Sequence, residues 1–353
     1  MKKLTINKKS RSSFATYAGV ILAYVVLQIM GSGGMLSSSL KGQLVPICAY
    51  VVMALALNLT VGILGELSLG HAGFMSVGAF AGAVAASALQ NVIPMGGLRL
   101  AIAMIIGAAF AGIAGVLIGV PVLRLNGDYL AIVTLAFGEI IKSLINNLYI
   151  GMDDRGLHSS FINNTITLRE GGRMILSGPM GIPSVTKIST FTAGFILIMI
   201  ALVVIFNLVN SRSGRAIMAL RDNRIAAESV GINVTQYKMT AFVTSAALAG
   251  AAGTLFAMGQ NTIIASKYDF NTSILILVFV VLGGQGRMWG SIIAAAALTV
   301  LPELLREFAD YRMLVYAIVL ILVMLATNNP TLKNFFTRLF NREKEEKKGG
   351  AAR

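Results

Sequence analysis

Residues 62–82 read GILGELSLGHAGFMSVGAFAG, a glycine- and serine-rich tract inside an otherwise apolar stretch of chain. Lipid offers no hydrogen bonds, so irregular backbone at membrane depth has to be buried in protein or face a watery cavity. The tract also carries Glu66 and His71. Ionisable side chains at that depth are expensive and mark functional sites by default. Glu66, Ser68, His71 and Ser76 are therefore the candidate lining of a translocation path for a solute. For His71 a hydrogen-bonded packing role is the alternative.

Composition decides the medium. Of 353 residues, 56% are apolar and 12% charged, with a mean hydropathy of +0.77, against about 25% charged residues in a soluble domain. The apolar runs are about 18–25 residues long, the length of a spanning helix, and lack the alternation over about 10 residues of an outer-membrane strand. The chain reads as all-α, a polytopic helical membrane protein. Its net charge of +14 lies in short segments flanking the apolar runs, the pattern of topogenic charge and not of a nucleic-acid surface. Cys48, the one cysteine, lies inside an apolar run and is expected to pack as a small hydrophobe.

Ten apolar segments are expected to span: 14–31, 42–62, 67–88, 98–122, 128–150, 188–210, 239–260, 271–285, 288–305 and 312–329. The third is rich in glycine and the eighth is short, which makes 67–88 and 271–285 the weakest spans. The basic stretch before Phe14 resembles the start of a signal peptide, but the apolar run is long and no A-x-A site follows, favouring an uncleaved first helix. Ten crossings put both termini on one side. That side holds 19 of the 29 Lys and Arg residues: five before Phe14, Arg124, five between Ser211 and Lys238, Arg287, and seven from Lys333 onward. The excess assigns it as cytoplasmic. The organisation is then a basic N-terminus (1–13), a transmembrane domain (14–329) and a basic tail (330–353). Glycine-broken stretches at Gly62–Gly73 and Gly283–Gly290 hint at inverted repeats around a central path. Gly78-x3-Gly82 and Gly115-x3-Gly119 are small-residue faces suited to close helix packing.

Two connections are long. The outer one, 151–187, is polar and either caps a mouth, receives a partner or merely links spans. The inner one, 211–238, contains RSGRAIMALRDNRIAAESVGINVTQYK and predicts a helix over Arg215–Val230 with Gly231 as its C-cap. Ile217, Leu220, Ile225 and Val230 supply apolar faces among Arg215, Arg221, Arg224 and Glu228. Such a helix suits a groove on a soluble partner or the lipid surface. Glu139 and Lys142, spaced i,i+3 on the fifth segment, either neutralise each other or form a relay for protons or substrate. The phosphate-cradling G-x4-G-K-[ST] loop, H-E-x-x-H, G-x-S-x-G in a strand-to-helix context and Cys/His metal spacings are all missing. With His71 and His158 the only histidines, no catalytic residue and no metal site are expected.

Four stretches carry a specific resemblance: GELSLGHAGFMSVGAFAGA (65–83), RLNGDYLAIVTLAFGEIIKSLINN (124–147), GRAIMALRDNRIAAESVGINVTQYKMTAFVTSAALAGAAGTLFA (214–257) and GGQGRMWGSIIAAAALTVLPELLRE (283–307). In this order they resemble the permeases of branched-chain amino acid ABC transporters, most of all the M-type (LivM-like) subunit, from about Gly42 to Asn328. The resemblance implies a heterodimer with an H-type permease subunit in a bacterial cytoplasmic membrane, working by alternating access. It implies two cytoplasmic ATPase subunits that use ATP and magnesium, and an extracytoplasmic binding protein that delivers leucine, isoleucine or valine. It implies no cofactor on this chain. Ala226, Ala227 and Gly231 match the A-A-x3-G part of the loop by which importer permeases engage their ATPases. With Arg221, Ile225 and Glu228 they form the expected docking loop, and the match favours docking over a lipid-surface helix. Ile225 stands where the general signature E-A-A-x3-G has glutamate, which leaves the contacting residues open.

Two other readings remain. One keeps the architecture and changes the solute to urea, short amides or other amino acids, with sugar permeases more distant. The other is an ion-coupled secondary transporter using Glu66, Glu139 and His71. The inner helix-and-turn and the lack of a buried acidic cluster weigh against the second.

Overall fold

The computed structural model describes residues 8–305 apart from 34–36, 91, 126, 154–155, 163–165, 167–171 and 184, together with 314, 317, 318 and 321. The expected tenth segment, 312–329, lies almost wholly outside the described residues, as does the tail from 330. The chain divides into two compact units, Met1–Thr299 and Val300–Arg353. In the second unit the described part is chiefly the last turn of one helix; all that follows concerns the first.

The helices are α1 (Lys8–Ser32), α2 (Ser38–Asn58), α3 (His71–Ala88), α4 (Gly96–Val122), α5 (Asp128–Asn146), α6 (Phe191–Asn210), α7 (Arg212–Asp222), α8 (Arg224–Ser229), α9 (Val234–Ala257), α10 (Phe270–Gly283) and α11 (Met288–Leu304). Their starts follow capping chemistry: the side chains of Ser37, Thr190, Asn233 and Asp269 each accept from a backbone N–H of the first turn, satisfying donors that a helix cannot satisfy itself. Among the described residues seven helices are long and apolar enough to cross a membrane: Ala15–Ser32, Ser38–Leu64, His71–Ala88, Gly96–Val122, Phe191–Asn210, Val234–Ala257 and Ala265–Gly283. Seven of the ten expected spans are thus met among the described residues, and the tenth lies almost wholly outside them. The apolar α11 has only 17 residues, and α5 carries Asp128, Glu139 and Lys142. The first helix begins at Lys8, inside the basic stretch, and the third at His71, because 66–70 is irregular.

The expectation of an all-α chain needs one correction. The connection after α5 holds an antiparallel sheet of β1 (Leu148–Asp153), β2 (Gly156–Phe161) and β3 (Arg173–Ser177), ordered β2-β1-β3. The fifth segment, read as 128–150, ends at Asn146, and Leu148-Tyr149-Ile150 goes to the ladder, with Leu148 opposite Phe161 and Ile150 opposite Ser159. Apolar β-branched and aromatic residues serve a strand as well as a helix; here cross-strand pairing wins. His158 Nε2 bonds Asp153 Oδ1 at 2.8 Å across β1 and β2. The Ile182–Ile263 bridge ties the chain beyond the sheet to the connection after α9, which defines a sheet end of the bundle.

α2, α3, α4 and α9 form the centre. Small residues bring their backbones together: a Cβ at Gly78 would lie 2.1 Å from Gly250 O, and one at Gly107 would lie 2.1 Å from Thr254 Oγ1. Both predicted small-residue faces lie against α9, Gly82 on Thr254, Gly115 on Ala246 and Gly119 on Met239. Without a hydrophobic drive between helices in lipid, such close approach and its dispersion contacts are what hold helices together. Thr254 adds a hydrogen bond from Oγ1 to Gly78 O, 2.8 Å. α1 leans on α6 through Tyr24, stacked on Phe195 at 4.1 Å.

Candidate functional site

At the end of the bundle opposite the sheet, α2 does not stop cleanly at Asn58. It continues as a π-helical turn, Leu59–Leu64, that ends at Gly65, whose φ of +82° is the left-handed conformation glycine adopts at least cost. Five irregular residues follow before α3 starts at His71. This is the broken tract expected from the sequence; Ser68, Gly70 and His71 are buried in it, Glu66, Leu67 and Leu69 are half-buried, and Gly65 is exposed.

The tract's polar groups are met by side chains from four other elements. Lys238, at the start of α9, forms an ion pair with Glu66; the two side chains are 5% and 14% exposed. His71 is fully buried, with Nε2 2.7 Å from Ser245 Oγ and Nδ1 3.3 Å from Ser68 Oγ. Because the Ser245 hydroxyl donates to Ala56 O, the network assigns His71 Nε2 as the donor to Ser245 and Nδ1 as the acceptor from Ser68. Leu69 N donates to Thr134 Oγ1 of α5 at 3.1 Å, and Ala72 N to Ser273 Oγ of α10 at 3.1 Å. The bonds to the backbone at 69 and 72 do for the break what the helical ladder would otherwise do.

Of the expected lining residues, Glu66, Ser68 and His71 lie together along the break. Ser76 turns back on its own helix, donating to Gly73 O at 2.7 Å. His71 is hydrogen-bonded through both ring nitrogens, and the charge of Glu66 is balanced by Lys238. Sequence reading missed Lys238 and Ser245. Their signal was the i,i+7 spacing, which puts both on one face of α9. Glu139 and Lys142 do form the expected i,i+3 pair, at 40% and 25% side-chain exposure.

The second glycine-rich stretch packs on the first. Asn58 joins them: its Oδ1 accepts from Gly286 N at 2.8 Å, and its Nδ2 donates to Ser291 Oγ at 2.8 Å. A Cβ at Gly62 would lie 2.1 Å from Gly286 N.

The inner loop touches the same place. The single helix expected over Arg215–Val230 is two helices, α7 and α8. Asn223 between them is extended (φ −157°, ψ 106°), and its Oδ1 accepts from Ala226 N at 3.0 Å, so a strong N-capping residue restarts the helix. Gly231 ends α8 at φ +85°, with Ile232 N bonded to Ala227 O at 3.1 Å, the C-cap the sequence predicted. Ala227 is buried, whereas Ile225 and Val230 are 79% and 75% exposed; Glu228 pairs with Arg224 at 3.1 Å. Arg221 points away from this surface toward the break. Its Nη1 donates to Gly62 O at 3.1 Å, and its Nε and Nη2 to Asp222 Oδ1. Gly65 leaves room for it, since a Cβ there would lie 2.5 Å from Arg221 Cγ.

These features define a polytopic helical membrane protein built around an interrupted helix, with an amphipathic loop fastened to the interruption. Residues 39–324 match the family described as the branched-chain amino acid transport system / permease component, and the chain belongs to it. It is 40% identical over 288 residues to the high-affinity branched-chain amino acid transport system permease protein LivM of Salmonella typhimurium (78% of this chain, 66% of that protein). To the protein of the same name from Escherichia coli K12 it is 39% identical over 287 residues, with the same coverage. The chain thus spans about two thirds of the length of these curated relatives. A fructose import permease protein, FruG of Bifidobacterium longum, is 25% identical over 313 residues, 85% of this chain and 86% of that protein. No solved structure matches the chain.

Proposed function

We propose that the chain is the permease subunit of an ATP-driven importer for branched-chain amino acids, paired with a second, H-type permease subunit. Two cytoplasmic ATPase subunits drive it, and an extracytoplasmic binding protein supplies leucine, isoleucine or valine. In this reading it lies in the cytoplasmic membrane with the break end inward, binds no cofactor and cycles by alternating access. The observation that carries the reading is the hydrogen bond from Arg221 to Gly62 O: the loop whose A-A-x3-G signature is that of ATPase docking holds the interrupted helix directly. Displacement of α7–α8 by a closing ATPase dimer would then move the break. ATP binding would favour one permease state only by contacting it better than the other.

The likeness to LivM proteins supports the amino acid as solute, and the more distant FruG relative makes solute class the point to test. In proteoliposomes the assembled complex is expected to accumulate labelled leucine only with ATP and the binding protein. Uptake on a proton gradient without ATP would sink the importer reading in favour of an ion-coupled carrier. On the docking side, Gly231→Pro, at a φ proline cannot adopt, and Ala227→Asp are expected to abolish ATPase co-purification while the permease still inserts. Undiminished co-purification would remove α8 as the docking element.

A further inference from the structure

The π-helical turn Leu59–Leu64 carries one polar side chain, Thr60, and that residue is fully buried. Among the described residues its Oγ1 has no hydrogen-bond partner. A threonine inside a helix has a ready acceptor in the carbonyl four residues back, which here is Ala56 O. That oxygen is claimed from another helix, because the Ser245 hydroxyl of α9 donates to it. Ser245 has a single hydroxyl hydrogen. By giving it to Ala56 O it forgoes the equivalent carbonyl of its own helix, Ala241 O. A carbonyl oxygen offers two lone pairs, and within a helix one of them serves the ladder of backbone bonds. One place on Ala56 O thus stands open to two hydroxyls, and the loser is buried unsatisfied, which is costly. The turn around Thr60 is held on both sides. Asn58 ties its start to the second break through Gly286 N and Ser291 Oγ, and Arg221 of α7 holds Gly62 O. Single π-turns set into α-helices recur at functional sites.

We propose that Ser245 and Thr60 are alternative donors to Ala56 O and exchange places when the first break changes state. With Ser245 on Ala56 O, α9 is fastened to α2 and the turn 59–64 keeps its π register. When α9 draws back, Ser245 turns to Ala241 O, Thr60 takes Ala56 O, and the turn winds toward α-helical register, carrying Gly62 with it. One hydrogen bond between helices is lost and two within helices form, so the second arrangement satisfies the hydroxyl that the first leaves without a partner. Thr60 is a positioning residue: it acts by giving the break a second arrangement of comparable free energy, which any ligand-driven shift of population requires. Movement of α7 reaches the same turn through Arg221 and Gly62 O. That the exchange serves solute uptake rests on the importer reading; the competition for Ala56 O does not.

The test uses the assembled complex, melted without ATP in lipid nanodiscs and assayed for uptake of labelled leucine in proteoliposomes. Thr60→Val replaces an unsatisfied buried hydroxyl by a methyl group of similar shape, so the resting complex is expected to melt at the same temperature or higher. Leucine accumulated per ATP is expected to fall several-fold, and Thr60→Ser to restore it. A packing role alone would move stability and uptake together. In a Ser245→Ala background Ala56 O is open to Thr60, and the sign reverses: there Thr60→Val is expected to lower the melting temperature, a coupling read from the double-mutant cycle. A lower melting temperature for Thr60→Val alone, or an equal effect in both backgrounds, would overturn the exchange. Where Ser245→Ala fails to assemble, since His71 loses a partner as well, the Thr60 variants decide without it. Uptake per ATP unchanged in Thr60→Val, or not restored by serine, would then overturn the proposal. Melting needs no transport, which separates the two readings. A sign reversal in a complex without ATP-driven uptake would keep the exchange and remove the importer, whereas ATP-driven uptake indifferent to Thr60→Val would do the reverse.

Discussion

The two glycine-rich breaks touch each other through Asn58, yet they are built in opposite ways. The second closes on its own backbone. A Cβ at Gly290 would lie 1.7 Å from Gly283 O, and the turn between them runs through Gly284 and Gly286 at φ of +91° and +77°. The first is closed by side chains from distant stretches of sequence: Lys238 on Glu66, Ser245 on His71, Thr134 on Leu69 N, Ser273 on Ala72 N and Arg221 on Gly62 O. A turn held by its own backbone keeps its shape when neighbouring helices shift. A break held by α5, α7, α9 and α10 changes when any of them moves. The contrast makes 59–70 the part of the membrane domain suited to a change of state, with 283–290 the fixed surface against which it rests.

Removing one of the borrowed side chains should therefore cost most where it carries charge. Lys238→Met keeps the length of the side chain but leaves Glu66 unpaired, and loss of one partner from a buried pair costs about 3–5 kcal/mol. A large fall in the melting temperature of the purified protein is expected. Glu66→Leu combined with Lys238→Met should recover most of it, because an apolar pair is often no worse than a buried ionic one. A double variant as unstable as the single one would show that Glu66 and Lys238 are not coupled.

The backbone-closed turn should fail by overpacking. Gly290→Ala forces a methyl group onto Gly283 O, and overpacking of this kind typically costs about 1–3 kcal/mol; with backbone on both sides the upper end is expected. Ala at 290 with an unchanged melting temperature would mean that the second break yields as readily as the first, and the contrast would collapse. Asn58→Ala attacks the joint between the breaks, leaving Gly286 N and Ser291 Oγ without their partner, a loss of about 2 kcal/mol. Hydrogen exchange should then rise at Gly286 and at 62–66 together. A rise confined to one of them would show that the breaks are not linked through Asn58.

How far this was legible in the sequence follows from the same chemistry. The helical class, the broken tract and the inner loop could be read because each rests on local signals: apolar length, glycine density, and a cap such as Gly231. The sheet was hidden because Leu148-Tyr149-Ile150 prolongs the apolar run of α5, and only cross-strand partners at Ser159 and Phe161 tell strand from helix. The division of the inner helix at Asn223 was similarly ambiguous, since asparagine tolerates a helix interior at modest cost and takes the N-cap position only when the chain turns there. For the site, Glu66, Ser68 and His71 were visible as polar residues out of place. Their partners were not, because pairing Lys238 with Glu66 across 172 residues depends on how α9 lies against the break, and no local pattern encodes that.

The smallest effect on stability, and the sharpest test of the contrast, concerns Arg221. Its side chain is 39% exposed, so the bond to Gly62 O is partly replaced by water, and its loss in Arg221→Gln should cost about 1 kcal/mol or less. If the first break is the moving part and α7 its handle, the consequence should appear in coupling and not in folding. The variant complex should keep its ATPase subunits and hydrolyse ATP while accumulating several-fold less leucine per ATP. Arg221→Lys, which retains the charge and a donor but not the forked geometry, should recover part of the loss. A variant with wild-type uptake per ATP would leave Arg221 as a surface contact. A variant that loses its ATPase subunits would make Arg221 part of the docking surface, and the break would then need another route by which to feel the loop.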